Sequence, residues 1–368
     1  MAIILFVAIL FIVVVIHELG HFLMAKRNKI GVEEFGFGLP PRIWGKKIGE
    51  TIYSINWLPF GGFVRLVGED DVSEKSQRND SFQKKNISAR ISVVVAGVFA
   101  NFLLAVVLFY IVLIIVGFKI SFPSLVEHKF ILAEQTQQIF VAGINEGGAA
   151  ANSGINVGDS VISAEGQVID STKQLQQIIR GSEGKQISLD LENTINNEKR
   201  NVKVTPVYND QIQAPALGIE LGELVVLNYK TPVQKAFSGF THSYNTLTYT
   251  GKIFGRLIGS AFAQKNIAPV SEGVSGPVGI FTLVRDVSAF GIIPILQLVA
   301  LLSLNLAVIN ILPIPAVDGG RLAFIIVEAV IRKRVSPNIE KWVHTAGFAV
   351  LIGLILLVTY NDILKLLR

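Results

Sequence analysis

Apolar positions crowd into four long runs, from about 2 to 25, 91 to 118, 289 to 312 and 343 to 360. A helix needs about 20 such residues to cross the hydrocarbon core of a bilayer, so the four runs predict four membrane-spanning helices, the last short. The first run lacks a basic segment before it and a small-x-small cleavage site after it, so it reads as a retained span, not a cleaved signal peptide. Between the second and third runs the pattern changes. Short apolar runs separated by turn residues predict strands at Phe140–Ile144, Ser160–Ala164, Ile187–Leu191 and Val202–Val207. Thr172–Arg180 predicts a short helix, with Ser171 as N-cap and Gly181 just past its end. Residues 128–207 thus form a small α/β module. From Pro232 to Phe262, Val233, Phe237, Phe240, Tyr244, Leu247, Phe254, Ile258 and Ala261 recur with a helical period, while Thr241, His242, Asn245, Lys252 and Arg256 fall mostly opposite. This amphipathic helix fits either the outer membrane–water interface or a place against the α/β module.

Composition supports the membrane reading. Hydrophobic residues make up 51% of 368 and charged residues 17%, against about 25% in soluble domains, and mean hydropathy is +0.52. An intrinsically disordered chain is excluded and an ordinary cytosolic enzyme disfavoured. With no cysteine, disulfide scaffolds, thiolate metal sites and cysteine nucleophiles are excluded. The net charge of +5 fits basic loops beside anionic lipid better than nucleic acid, which is not expected as a partner. Lys26, Arg27 and Lys29 follow the first run, Arg42, Lys46, Lys47, Lys84, Lys85 and Arg90 precede the second, and Arg321, Arg332, Lys333, Arg334 and Lys341 separate the third from the fourth. The bias of Lys and Arg toward the inner side places these loops in the cytoplasm and residues 119–288 outside, with Lys365 and Arg368 weakening the bias slightly.

Ile144 to Ser163 reads small residues, then Ala-x-x-Gly-hydrophobic-x-x-Gly-Asp from Ala151 to Asp159, and resembles the PDZ domain of bacterial proteases. Such a domain binds an extended peptide at a sheet edge. A spacer or steric gate without a peptide ligand fits these residues equally.

The chemistry lies at the end of the first run. His17-Glu18-Leu19-Gly20-His21 is an H-E-x-x-H motif, whose i, i+4 spacing lets both imidazoles reach one zinc ion while Glu18 faces a water at the metal. Two histidines at headgroup level are the plainer reading, but ionisable groups within a span are costly and usually functional. A catalytic zinc needs a third protein ligand. His128, His242 and His344 have no motif around them, and Asp318, in Asn310-Ile-Leu-Pro-Ile-Pro-Ala-Val-Asp318-Gly319-Gly320, is the better candidate. The first and third spans run in the same direction, bringing this segment to the depth of the histidines. Pro313 and Pro315 cannot continue a regular helix, and Gly319 and Gly320 would let the backbone turn back. The alternative is an ordinary Pro-Gly helix exit with Asp318 in solvent.

Together these residues resemble the bacterial site-2 proteases, intramembrane zinc metalloproteases with a PDZ domain, over nearly the whole chain. Ser275-Gly-Pro-Val-Gly-Ile280 also looks like a segment of that family. The resemblance implies one Zn2+ per chain held by His17, His21 and Asp318, with Glu18 as general base and Asn310 holding substrate near the metal. It implies that Phe35–Gly38 with Ile43–Val67 forms a cytoplasmic, membrane-dipping β-hairpin that pairs with unwound substrate. Val317 and the doubled Pro40-Pro41 depart from the usual pattern.

The expected architecture is a polytopic α-helical membrane protein of the cytoplasmic (inner) membrane with an extracytoplasmic PDZ-like domain. Residues 1–127 form an N-terminal membrane part, 128–207 the PDZ domain, 208–288 a linking region with the amphipathic helix, and 289–368 a C-terminal membrane part. The expected activity is cleavage of membrane-spanning protein substrates, anti-sigma-factor-like regulators or signal-peptide remnants, after a first cut by another protease. Asn305 and Asn310 are candidates to line a polar cavity, although Asn305 fits an interhelical hydrogen bond better. The alternatives are a catalytically inactive PDZ-bearing scaffold and a divalent-metal transporter, which would spread its ligands along a pathway.

Overall fold

The computed structural model describes residues 2–69, 78–145, 147–193, 198–210, 212–266 and 273–367. Glu146 of the PDZ-like run and Arg368 lie outside the described residues. The chain divides into two compact units, Met1–Val112 with His242–Arg368, and Leu113–Thr241.

In the first unit, α1 (Ala2–Arg27) buries a single stripe, Phe6, Ile9, Val13 and His17, at helical spacing. The apolar part of that stripe packs on Val284 of α5 (Pro277–Ser288) and on Leu298 and Val299 of α6 (Ile292–Ile311). α2 (Ile87–Ile115) starts four residues before the apolar run suggested, because the Asn86 side chain accepts the Ala89 N–H at 2.9 Å and caps the helix. Its Ala105 and Phe109 meet Ala300 and Leu304 of α6. α7 (Asp318–Ile331) and α8 (Pro337–Leu366) follow.

Two expected spans change. The third span starts three residues later than 289, since α6 begins at Ile292 after Gly291, whose φ of +98° suits glycine, and a separate helix, α5, ends just before it at Ser288. The last span is longer than 343–360, starting at Pro337, where proline is preset for a first helical turn. α1, α2, α6 and α8 are each long and apolar enough to cross a membrane, and none of the apolar window of α8 is buried within the protein. An apolar helix left uncovered in this way suits lipid.

The stretch after α1 is a long hairpin, β1 (Val32–Ile48) and β2 (Thr51–Leu66). Both strands bend, so Glu34–Phe37 lies between two stretches of β2. Phe35 pairs with Val64 on one side and Tyr53 on the other, and Phe37 pairs with Gly62 and Ile55. Glu34 is buried between the strands, where Arg42, Arg65 and Ser54 satisfy its carboxylate. Ile43, Trp44, Ile55, Trp57 and Leu58 remain exposed, an apolar surface on a strand pair.

In the second unit β3 (Lys119–Pro123), β4 (Glu134–Ile144), β5 (Asp159–Ala164), β6 (Gln167–Val168), β7 (Ile187–Asn193), β8 (Lys199–Val204) and β11 (Ile219–Asn228) share one sheet of order β3-β11-β4-β5-β7-β8, with β6 on β5. The sheet reaches beyond residues 128–207 at both ends. β9 (Val207–Asn209) and β10 (Ala214–Ala216) pair separately, and the strand expected over Val202–Val207 is broken at Pro206, which has no N–H for a ladder. α3 (Thr172–Arg180) has the expected bounds, and Ser171 accepts the Gln174 N–H at 3.3 Å. It lays Leu175 and Ile179 on a core of Ile139, Val141, Val161, Leu189 and Leu191. Asp159 is buried, receiving the Asn156 N–H at 2.7 Å and pairing with Arg200, which accounts for the Gly-Asp of the PDZ-like run.

α4 (Pro232–Gln264) opens on a capping box, with Thr231 and Gln234 each accepting the other's backbone N–H. Its polar residues Thr241, His242 and Asn245 are buried, whereas Val233, Phe237, Phe240, Phe254 and Ile258 are exposed. The first half of the helix turns polar residues inward, whereas Lys252 and Arg256 of its second half are exposed.

Arg90 and Glu328 form a buried ion pair at 2.5 Å joining α2 to α7. Removing one partner strands the other charge, so Glu328→Ala should lower stability by about 3 kcal/mol or more. Thermal unfolding in detergent checks this, and Arg90→Leu with Glu328→Leu should recover most of the loss.

Candidate metal centre

The i, i+4 spacing on α1 places His17 and His21 on one face, their rings edge-to-face with centroids 4.7 Å apart. Their Nε2 atoms lie 3.1 Å apart, and Oδ2 of Asp318 lies 2.9 Å from that of His17 and 3.1 Å from that of His21. The segment after α6 brings Asp318 there. Leu312 ends α6 in an extended conformation, Pro313 and Pro315 keep the next residues out of helix, and Asp318 begins α7. Gly319 and Gly320 do not turn the chain back, as the sequence suggested. They occupy the first turn of α7, where an added Cβ would lie 1.9 Å from the Leu312 carbonyl oxygen and 2.5 Å from that of Ile314. Their smallness lets α7 start directly against the loop. The Asp318 carboxylate also sits at a helix N-terminus, where the peptide dipoles favour a negative charge.

The donor set fits zinc. Ligands about 2.0–2.1 Å from a tetrahedral zinc stand about 3.3 Å from one another, close to the spacing here. The Nδ1 atom of His21 lies 2.8 Å from the Val93 carbonyl oxygen, which can only accept. Nδ1 therefore carries a proton, which leaves Nε2 as the nitrogen that could offer a lone pair to a metal. Nδ1 of His17 is buried without a partner. Among the described residues, no other group of three His, Asp or Glu side chains comes so close together. The Asp318 side chain is 28% exposed against 7% and 12% for the imidazoles, so the cluster is reached from the Asp318 side.

Glu18 faces the hairpin. An added Cβ on Gly62 would lie 3.1 Å from its Cγ. Asn310 near the end of α6 brings Nδ2 to 3.3 Å from Nε2 of His17. Asn305 is half-buried. The remaining histidines stay apart: His128 packs on Phe130, His242 on Phe109, and Nδ1 of His344 accepts the Ala316 N–H at 3.1 Å.

Sequence reasoning missed the glycines that admit this geometry. On α2, a Cβ on Gly97 would lie 2.3 Å from Nε2 of His21 and 2.8 Å from Cε1 of His17. On α1, one on Gly20 would lie 2.3 Å from the Ala96 carbonyl oxygen. Small residues at a helix crossing were the available signal.

The model of peptidase family M50 matches residues 5–354. A relative from Clostridium perfringens is 32% identical over 355 residues, 95% of each chain. Zinc metalloprotease RasP of Geobacillus kaustophilus is 29% identical, over 99% of this chain and 98% of its own. Regulator of sigma-W protease RasP of Bacillus subtilis is 27% identical, over 98% of each. Among solved structures, the PDZ domain of the SdrC-like protein of Listeria monocytogenes is similar over 26% of this chain and 93% of its own, at 15% identity and a TM-score of 0.21.

Gly97→Ala should push a methyl group into the cluster. The expected outcome is zinc binding weakened about 10-fold or more, measured by chelator competition on the purified protein.

Proposed function

This chain belongs to peptidase family M50 and is a zinc metalloprotease, and from that premise we propose that it cleaves membrane-spanning segments of its substrates at His17, Glu18, His21 and Asp318. The observation that carries the reading is the meeting of two imidazole nitrogens and one carboxylate oxygen within 4.8 Å, at the end of an apolar helix 26 residues long. His17, His21 and Asp318 hold the zinc, which when bound polarises the scissile carbonyl and acidifies a water.

Glu18 takes the proton of the attacking water and returns it to the leaving amine nitrogen. Asn310 donates its amide N–H to the substrate carbonyl or to the neighbouring backbone, where negative charge develops. The substrate backbone needs partners once its helix unwinds, since each unsatisfied group in hydrocarbon costs several kcal/mol. The strip Gly62–Leu66 of β2 meets Glu18 on one side and β1 on the other, which supports its role as the strand beside which substrate lies.

The distribution of Lys and Arg supports a site near the cytoplasmic face of the bacterial inner membrane, with the PDZ-like module outside. The name of the Bacillus subtilis relative, regulator of sigma-W protease, supports membrane-anchored regulators as substrates. In this reading the external module excludes a substrate until another protease has trimmed it. The rival reading, an inactive scaffold, leaves the complete ligand set and the adjacent Glu18 without a purpose.

Glu18→Gln should keep zinc and fold while lowering cleavage about 100- to 10,000-fold, whereas His21→Ala and Asp318→Ala should lose zinc. Metal analysis beside a cleavage assay on a membrane-anchored reporter checks both, and full zinc occupancy in Asp318→Ala would remove the third ligand. Lys119 and Asn228 are paired neighbours in the sheet, so residues 120–227 can be replaced by a short link. If the module is a gate, that variant should cut untrimmed substrate, and a continued requirement for the first cut would refute gating.

A further inference from the structure

We propose that His344 is a positioning residue for the metal centre, holding in place the backbone loop that delivers Asp318. The proposal rests on Asp318 being a zinc ligand. His344 lies on α8, a helix that contributes no residue to the cluster. Its Nδ1 accepts the Ala316 N–H at 3.1 Å, two residues before Asp318.

The donors of this loop are few. Pro313 and Pro315 have no N–H, the Ile314 N–H turns back to the Leu312 carbonyl at 2.6 Å, and the Val317 N–H reaches the Ile314 carbonyl at 3.4 Å. The Ala316 N–H instead leaves the loop for α8. Ala316 also holds a φ of +79°, a left-handed conformation that a residue with a Cβ adopts only when its surroundings impose it. The imidazole is one part of that imposition.

The contact is built on both sides. Gly347, one turn beyond His344, lies so close to Pro315 that an added Cβ would stand 2.3 Å from the proline Cβ. The Phe324 ring of α7 lies 5.7 Å from the His344 ring. His344 is therefore seated between the loop and the helix that Asp318 begins. A backbone N–H can only donate, so the role needs an acceptor at the Nδ1 position as well as a ring of this size. Without the acceptor, the Ala316 N–H loses its partner, the loop relaxes from its left-handed turn, and the Asp318 oxygen leaves its place beside the two Nε2 atoms.

The test uses the purified full chain in detergent. His344→Phe keeps an aromatic ring and removes the acceptor, and His344→Asn restores an acceptor near Nδ1 without the ring. Asp318→Asn is the reference. Zinc affinity is read by chelator competition, and the geometry of the ligand set by the visible absorption of the cobalt-substituted protein. We expect His344→Phe to weaken zinc about 10- to 100-fold and alter the cobalt spectrum, with His344→Asn returning both toward wild type. Should His344→Phe not accumulate, His344→Leu takes its place under the same readouts. Zinc affinity within twofold of wild type in the acceptor-free variant would overturn the proposal, as would His344→Asn binding zinc no better than that variant. If Asp318→Asn itself binds zinc normally, the ligand assignment fails and this proposal with it, whereas normal binding in His344→Phe beside weak binding in Asp318→Asn refutes the positioning role alone.

Discussion

Electron-rich atoms aimed at one point repel one another unless a cation or a proton lies between them. His17 Nε2, His21 Nε2 and Asp318 Oδ2 are in that position, and the Val93 carbonyl fixes the His21 proton on the far side of its ring. The three atoms come from α1 and from the start of α7, while the carbonyl that meets His21 Nδ1 comes from α2. The cluster is thus the point at which three parts of the chain are forced to agree. Gly20 and Gly97 show how strongly the packing is directed to it: the helices approach so closely that a single methyl group would meet a carbonyl or an imidazole. Such closeness serves helix association in lipid, where apolar side chains gain little by leaving one apolar medium for another.

The same constraint shapes the segment after α6. A continuous helix from Ile292 would carry Asp318 further along its axis. Two prolines stop the helix at Ile311, a left-handed Ala316 redirects the chain, and two glycines allow a new helix to begin within contact of the old one. These features each carry a local cost, and together they set the Asp318 carboxylate beside the two imidazoles.

Much of this was legible from local pattern. H-E-x-x-H at helical spacing specifies a face, and Asn310 to Gly320 breaks a span where an acidic residue follows. The four apolar runs correspond to α1, α2, α6 and α8, and Thr172–Arg180 was readable because cap, periodicity and terminal glycine coincide in sequence. What escaped depends on contacts far apart in the chain. Gly97 matters through a histidine 76 positions away, and the Val93 carbonyl is a backbone group that any residue type would supply. The recruitment of β3 and β11 to the sheet rests on pairings between distant strands. Gly291 gave a local sign of a break, but a single glycine in an apolar run is common enough in membrane helices to be read through.

The orientation of α4 extends the same reasoning to the chain's surroundings. In water, an amphipathic helix turns its apolar side inward, because that is the surface water excludes. Here Thr241, His242 and Asn245 are buried, and Phe237, Phe240, Phe254 and Ile258 face out. That arrangement is costly for a helix bathed in water and natural for one whose outer face meets lipid, with polar groups finding partners inside the protein. The exposed Trp44 and Trp57 of the hairpin follow the same logic, since indole rings gather at the boundary between headgroups and hydrocarbon. If bilayer meets the hairpin there, its strands offer backbone hydrogen-bonding groups at a depth where water is scarce. Gly62–Leu66 carries such groups beside Glu18, paired along one edge with β1.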